Sequence, residues 1–144
     1  EGANGLHATN LVTRTLTARG GASAEAFERE CEDAVLANHS VGANGMAETL
    51  SEGLIAWRTS RDAVVKLADP GFVAYPFMEL TGLLALGMAW GRLQLDANDS
   101  ANPERIGTTA AYVRDWLLPK AKFLSERIVS GKENLTMTGK AFQA

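Results

Sequence analysis

Few residues in this chain of 144 belong to types that can do chemistry unaided, and their spacing narrows the choice further. There is one cysteine, Cys31, and there are two histidines, His7 and His39. A thiol nucleophile needs a base within hydrogen-bond reach, and nothing in the spacing pairs Cys31 with a histidine. Cys31 therefore reads as a small packed residue on a helix. A carboxylate-bridged di-iron centre in a helical bundle needs Glu-x-x-His pairs, and neither histidine has a Glu three residues before it. The Cys and His residues lack zinc spacing. No glycine loop leads from a strand into a helix as a phosphate cradle would. No metal site is expected.

The elements that would position any site are helical throughout, because no stretch shows strand-like alternation. The central one is PFMELTGLLALGMAWGRLQL, Pro76 to Leu95. From Leu80 to Gly91 it carries no charge, and large apolar residues fall on every side of the helical wheel, as expected of a buried helix. A membrane span needs about 20 predominantly apolar residues. Glu79 and Arg92 cut the uncharged run short of that, so no span is expected. Gly82, Gly87 and Gly91 lower helix propensity and read as notches for neighbouring helices.

Around it the spacing predicts four more helices. The first covers about Leu6 to Arg19, with Leu6, Val12 and Leu16 inward, and Gly20-Gly21 stops it. The second runs from Ser23 to about His39 with Phe27, Cys31, Val35 and Leu36 on one side; Glu25, Glu28, Glu30, Glu32 and Asp33 make its other faces acidic and solvated. The third runs from Met46 to Ala68, with Leu50, Leu54, Trp57, Arg61, Val64 and Val65 inward, and Asp69-Pro70-Gly71 ends it. After a polar turn at Asp96 to Glu104, the last spans Pro103 to Gly131, with Pro103 at its first position. Tyr112, Trp116, Phe123 and Ile128 form its apolar side, and Pro119 should kink it. Lys132 to Ala144 reads as a docked or frayed end. The expected fold is all-α: five helices in an up-and-down bundle, one of them kinked at a proline.

The length suits one domain with a real core. A net charge of −3 without a Lys/Arg cluster disfavours nucleic acid and anionic membrane surfaces as partners. A single cysteine excludes an internal disulfide and fits a reducing, cytoplasmic setting. The chain begins with Glu rather than Met, so residue 1 is expected to be a cut end.

Two stretches carry resemblances. His39 in NHSVGANGM loosely resembles the phosphoacceptor of histidine phosphotransfer domains. Those domains place a Lys soon after, within a helix, where this chain has Gly42 and Gly45. A polar histidine at a helix end, favoured by the dipole, is the preferred reading there. The more extensive similarity begins at residue 1. EGANGLHATNLVTR resembles the acyl-CoA dehydrogenase segment that opens Glu-Gly-Thr and continues through a short helix to an Arg. It is closest to the larger members, in which a further helical domain follows. AAYVRDWLLPKAKFLSERIVSG resembles the last helix of that added domain, and the central helix occupies the place of its glycine-containing apolar helix.

The resemblance implies two parts: residues 1–21 as the end of the helical dehydrogenase domain, and residues 22–144 as the added bundle. It implies Glu1 as the catalytic base that removes the α-proton of an acyl thioester while hydride passes from the β-carbon to FAD. Gly2 and Ala3 fall at the cofactor-binding positions, where small residues let backbone approach flavin and thioester. Arg14 matches the motif's basic residue. Ala3 stands where the family has Thr, His7 where it has Gln and Asn10 where Asp is common. Acyl-CoA, an acceptor such as electron-transfer flavoprotein, and a homo-oligomer are implied in the same way. The flavin domain would lie upstream, so the chain alone is expected neither to hold FAD nor to turn over substrate. The alternative from the residues themselves is a self-standing helical interaction domain in which EGANG is a terminal loop.

Overall fold

The computed structural model describes the backbone of residues 2–141 and the side chains of residues 3–131. The chain is all-α, with no strand among the described residues. Helix α1 (Gly2–Asn10) continues into a π-turn at Leu11–Thr15, and α2 spans Ala22–Ser40, α3 Asn44–Val64 and α4 Gly71–Leu95. Helix α5 (Pro103–Tyr112) passes through a second π-turn, Val113–Leu117, into α6 (Lys120–Ala141). Taken with α6 as one bent helix, α5 completes the five that the sequence predicts.

The breaks fall where backbone chemistry demands them. Between α1 and α2 three successive residues are left-handed: Arg19 at φ 52°, Gly20 at 68° and Gly21 at 94°. The glycines adopt this freely, whereas Arg19 does so against its Cβ. Helix α2 ends in a Schellman turn. Gly42, at φ 76°, donates its N–H to the His39 carbonyl, and Ala43 donates to that of Asn38. The last helix bends by 31° at Leu118–Pro119. Pro119 has no N–H to give, and the turn before it has already widened, since Leu118 donates to Val113 five residues back, at 2.9 Å.

Helix α4 is the hub, packing against α1, α2, α3, α5 and α6. It begins at Gly71, five residues before the predicted start. The Gly71 N–H is held by Asp69 Oδ1 at 2.9 Å, and Val73, Ala74 and Pro76 are all buried. Two of the three predicted notches are real. A Cβ on Gly87 would lie 2.8 Å from Leu50 Cδ2 and Leu118 Cδ2, and one on Gly91 would lie 2.8 Å from Asn38 Nδ2. Gly82 faces open space. Gly131 is another such contact and not a helix end: its Cβ would lie 3.2 Å from Val73 Cγ1, and the backbone stays helical to Ala141.

The inward faces need correction in four places. The outer side of α4 is not buried, as Phe72, Tyr75, Leu86 and Leu93 are exposed. Tyr112, Trp116 and Phe123 also lie outside; Val113, Leu118, Ala121 and Leu124 face the core together with Ile128. Leu6, Leu36 and Val65 are exposed, while the small residues Ala8, Ala24, Ala34 and Ala47 are buried in their place. Glu28 is not solvated: its side chain is 14% exposed and lies between Arg58 (2.7 Å) and Arg61.

Trp57 ties three helices together. Its ring lies 5.1 Å from Phe27 of α2 and 5.6 Å from Phe77 of α4, and its Nε1–H donates to Thr81 Oγ1 at 2.9 Å. The Arg61 guanidinium stands 5.8 Å over the same ring. Such aromatic pairs add about 0.5–1.5 kcal/mol beyond area burial.

These contacts fix the sign of two glycine substitutions. Gly87→Ala would press on Leu50 and Leu118, both fully buried and unable to swing away. Overpacking should exceed the gain in helix propensity and destabilise by roughly 1–2 kcal/mol in urea unfolding. Gly107→Ala in α5 meets nothing within 4 Å and should stabilise by about 0.5–1 kcal/mol in the same assay.

Candidate functional site

Of the residues that the dehydrogenase resemblance singles out, Glu1 lies outside the described residues. Gly2 and Ala3 form the first turn of α1, where backbone N–H groups have no partner within the helix. Such donors suit a carbonyl or phosphate oxygen. Ala3 is exposed, and so are His7 and Arg14, which sit further along the same segment. Behind them Ala8, Val12 and Leu16 enter the core that holds Leu84 and Phe77. The segment is therefore anchored by one side and presents its amino end outward.

Two clefts among those on the described surface are lined by core-adjacent residues, and neither adjoins Gly2 or Ala3. One, of ≈ 390 Å³, lies among Leu16, Gly21, Ala24, Arg61 and Val65. The other, of ≈ 400 Å³, runs between α3 and α6, with Gly53, Ala56, Ala121 and Ser125 as its floor and Ile55 and Pro119 on its walls. Small residues at these positions let the two helices close in. The sequence carried this signal as Gly53, Ala56, Ala121 and Ser125 at helical spacings, but a small residue looks alike whether it lines a groove or the core. The hydroxyls here are already engaged: Ser60 Oγ lies 3.0 Å from Ser125 Oγ, and each reaches the Ala56 carbonyl, at 2.8 and 3.0 Å. Glu52, Lys122 and Glu126 also line this cleft, with Ser125 as a hydroxyl on its floor.

Gly2 and Ala3 offer backbone donors at one point, and neither cleft encloses a planar ring beside them. The other chemistry-capable side chains are dispersed. His39 is exposed at the end of α2, with Nδ1 3.1 Å from Asn44 Oδ1. No group of three His, Cys, Asp or Glu could hold a metal among the described residues. No family model, curated protein or solved structure matches this chain.

Cys31 is fully buried. Burial pushes its thiol up from 9.0 to about 11, with Arg58 pulling it down and Glu32 adding to the rise. A thiol so protonated is a packing group, not a nucleophile. Because the folded chain disfavours the thiolate, unfolding is linked to its ionisation. Stability should be insensitive to this group below pH 9 and should fall as pH climbs from 9 towards 11. At neutral pH a thiol reagent should label Cys31 only as fast as the chain unfolds; rapid labelling of the native chain would contradict its burial.

Proposed function

We propose that this chain is the C-terminal part of a flavin-dependent acyl-CoA dehydrogenase, in which Glu1 is the base and the bundle is a scaffold. The observation that carries the reading is the segment EGANGLHATNLVTR. Its residues from Gly2 onward form one helical run whose amino end faces outward while Ala8, Val12 and Leu16 are locked into the bundle. A carboxylate immediately before such a helix would be carried on a rigid support, as proton abstraction from a bound thioester requires. The first-turn amides at Gly2 and Ala3 are available to a thioester carbonyl oxygen. Flavin, most of the acyl pocket and the contact with an electron acceptor belong, on this reading, to parts of the enzyme outside this chain.

A second reading, a helical interaction domain without catalysis, is favoured by the exposed aromatic and aliphatic line along α4. The two separate by spectroscopy. On the first reading, the native protein from its source shows flavin bands that an acyl-CoA bleaches. Glu1→Gln in that protein should keep the bands and lose the bleaching, with turnover down by a factor of about 10²–10⁴, the usual contribution of a positioned base. A colourless native protein with a mass near that of this chain would remove the enzyme reading.

A further inference from the structure

We infer that Asn44 is a site of self-modification: the backbone nitrogen of Gly45 displaces the side-chain ammonia of Asn44 while His39 polarises the amide under attack. The inference is independent of the dehydrogenase reading. It concerns the short turn that joins α2 to α3. His39, in the last turn of α2, lies with Nδ1 3.1 Å from Oδ1 of Asn44, the first residue of α3. An amide oxygen only accepts, so Nδ1 carries the hydrogen between them. His39, Asn44 and Gly45 are all exposed, and water reaches the three together.

The reaction needs no group beyond the chain and water. The Gly45 N–H gives its proton to solvent base, and the nitrogen attacks Asn44 Cγ from within the same chain, where proximity favours it. The new N–Cγ bond closes a five-membered imide, the Cγ–Nδ2 bond breaks, and ammonia leaves with a proton taken from water. A second water then opens the ring. Cleavage of the N–Cγ bond leaves aspartate at position 44. Cleavage of the bond between the nitrogen and the Asn44 backbone carbonyl carbon leaves isoaspartate. Nothing is oxidised or reduced.

The fold favours ring closure at this position. His39 donates to Oδ1, the atom on which negative charge collects as the nitrogen adds, and a donor aimed there lowers the barrier. The Gly45 N–H makes no hydrogen bond among the described residues, so none has to be broken to free it. Glycine also brings no side chain to obstruct the closing ring. The rotation about Asn44 that carries the nitrogen to Cγ breaks the two backbone bonds from Met46 and Ala47 to the Ala43 carbonyl, at 3.1 and 3.2 Å. The chain supplies its own comparison, because residues 2–5 and 42–45 are the same four, Gly-Ala-Asn-Gly. Leu6 follows the first set and Met46 the second, so in the unfolded chain Asn4 and Asn44 react alike. In the folded chain Asn4 and Gly5 are exposed too, with open space about Gly5, but the His39 ring is held against Asn44.

That duplication makes the test internal. The folded chain is incubated at neutral pH and physiological temperature and then digested with trypsin, which places Asn4 in peptide 1–14 and Asn44 in peptide 30–58. Mass spectrometry with fragmentation follows the conversion of amide to acid at each. Asn44 should convert faster than Asn4 by roughly three- to tenfold, which is what one ordinary hydrogen bond is worth. In concentrated urea the two rates should converge. His39→Ala should slow Asn44 in the folded chain by the same factor and leave Asn4 unchanged. A histidine that merely braces the turn would give the opposite sign, since its loss would loosen Asn44 and speed ring closure. Asn44 converting no faster than Asn4 in the folded chain would overturn the inference. So would a His39→Ala chain in which Asn44 reacts as fast as in the wild type or faster. A difference that persists in urea would assign it to the flanking sequence and remove the part given to His39.

Discussion

The closeness with which α2, α3 and α6 approach α4 is the constraint on which the rest of this bundle depends. It is achieved reciprocally. Leu50 and Leu118 converge on Gly87, Leu84 of α4 fills the space over Gly53 of α3, and Val73 of α4 lies against Gly131 of α6. Each helical glycine costs about 1 kcal/mol of propensity. A fully buried leucine contributes about 1.5–3 kcal/mol. The exchange favours the notch wherever it lets one large side chain become fully buried, and Leu50, Leu84 and Leu118 are all buried to within 1%. Interiors packed to crystal density tolerate little adjustment, so these contacts also set the helix spacing at which every other interaction forms.

Two interactions rely on that spacing directly. With α2 held against α3 and α4, Phe27 and Phe77 flank Trp57, and its indole N–H finds Thr81. On the wet side of the same junction Glu28 accepts from Arg58 and Arg61, while Arg58 also reaches Glu32. Exposed ion pairs contribute little, but Glu28 is largely covered and could not be left alone without its two guanidiniums. Asn38 shows the limit of the arrangement. It is fully buried under Gly91; its Nδ2 donates to the Ala34 carbonyl, and its Oδ1 has no partner among the described residues. An unsatisfied buried acceptor costs about 1–3 kcal/mol, which the surrounding apolar burial must offset.

The fold class, the five helices, the central element and the bend at Pro119 were all legible in the sequence, because glycine, proline and charge act locally. Faces were harder to read. Uncharged from Leu80 to Gly91 and apolar on all sides there, α4 gave no sign of which side would be left out. Tyr112, Trp116 and Phe123 are exposed before, within and after the π-turn at Val113–Leu117, and bulk alone did not mark the inward face, which is formed by Val113, Leu118, Ala121, Leu124 and Ile128. Glu28 was read as solvated because nothing local tells a carboxylate that two arginines about thirty positions later will cover it. The candidate site was legible only through resemblance. Glu1, Gly2 and Ala3 have no periodicity or spacing of their own, and no group of three His, Cys, Asp or Glu that could hold a metal occurs among the described residues.

What the structure adds is a mechanical relation between the two surfaces of interest. Residues 2–21 do not hang from the bundle by a linker. Ala8, Val12 and Leu16 share one core with Leu84, and α1 packs directly on α4. A packed core behaves as a set of discrete arrangements, not as a deformable medium. The amino end of α1 and the outer line of α4 are therefore two sides of one rigid body with α4 between them. The first turn of α1 keeps its position relative to the outer line of α4. In an enzyme, that rigidity would give the amino end of α1 a firm support; in an interaction domain, it would leave α4 as the working surface and α1 as its buttress.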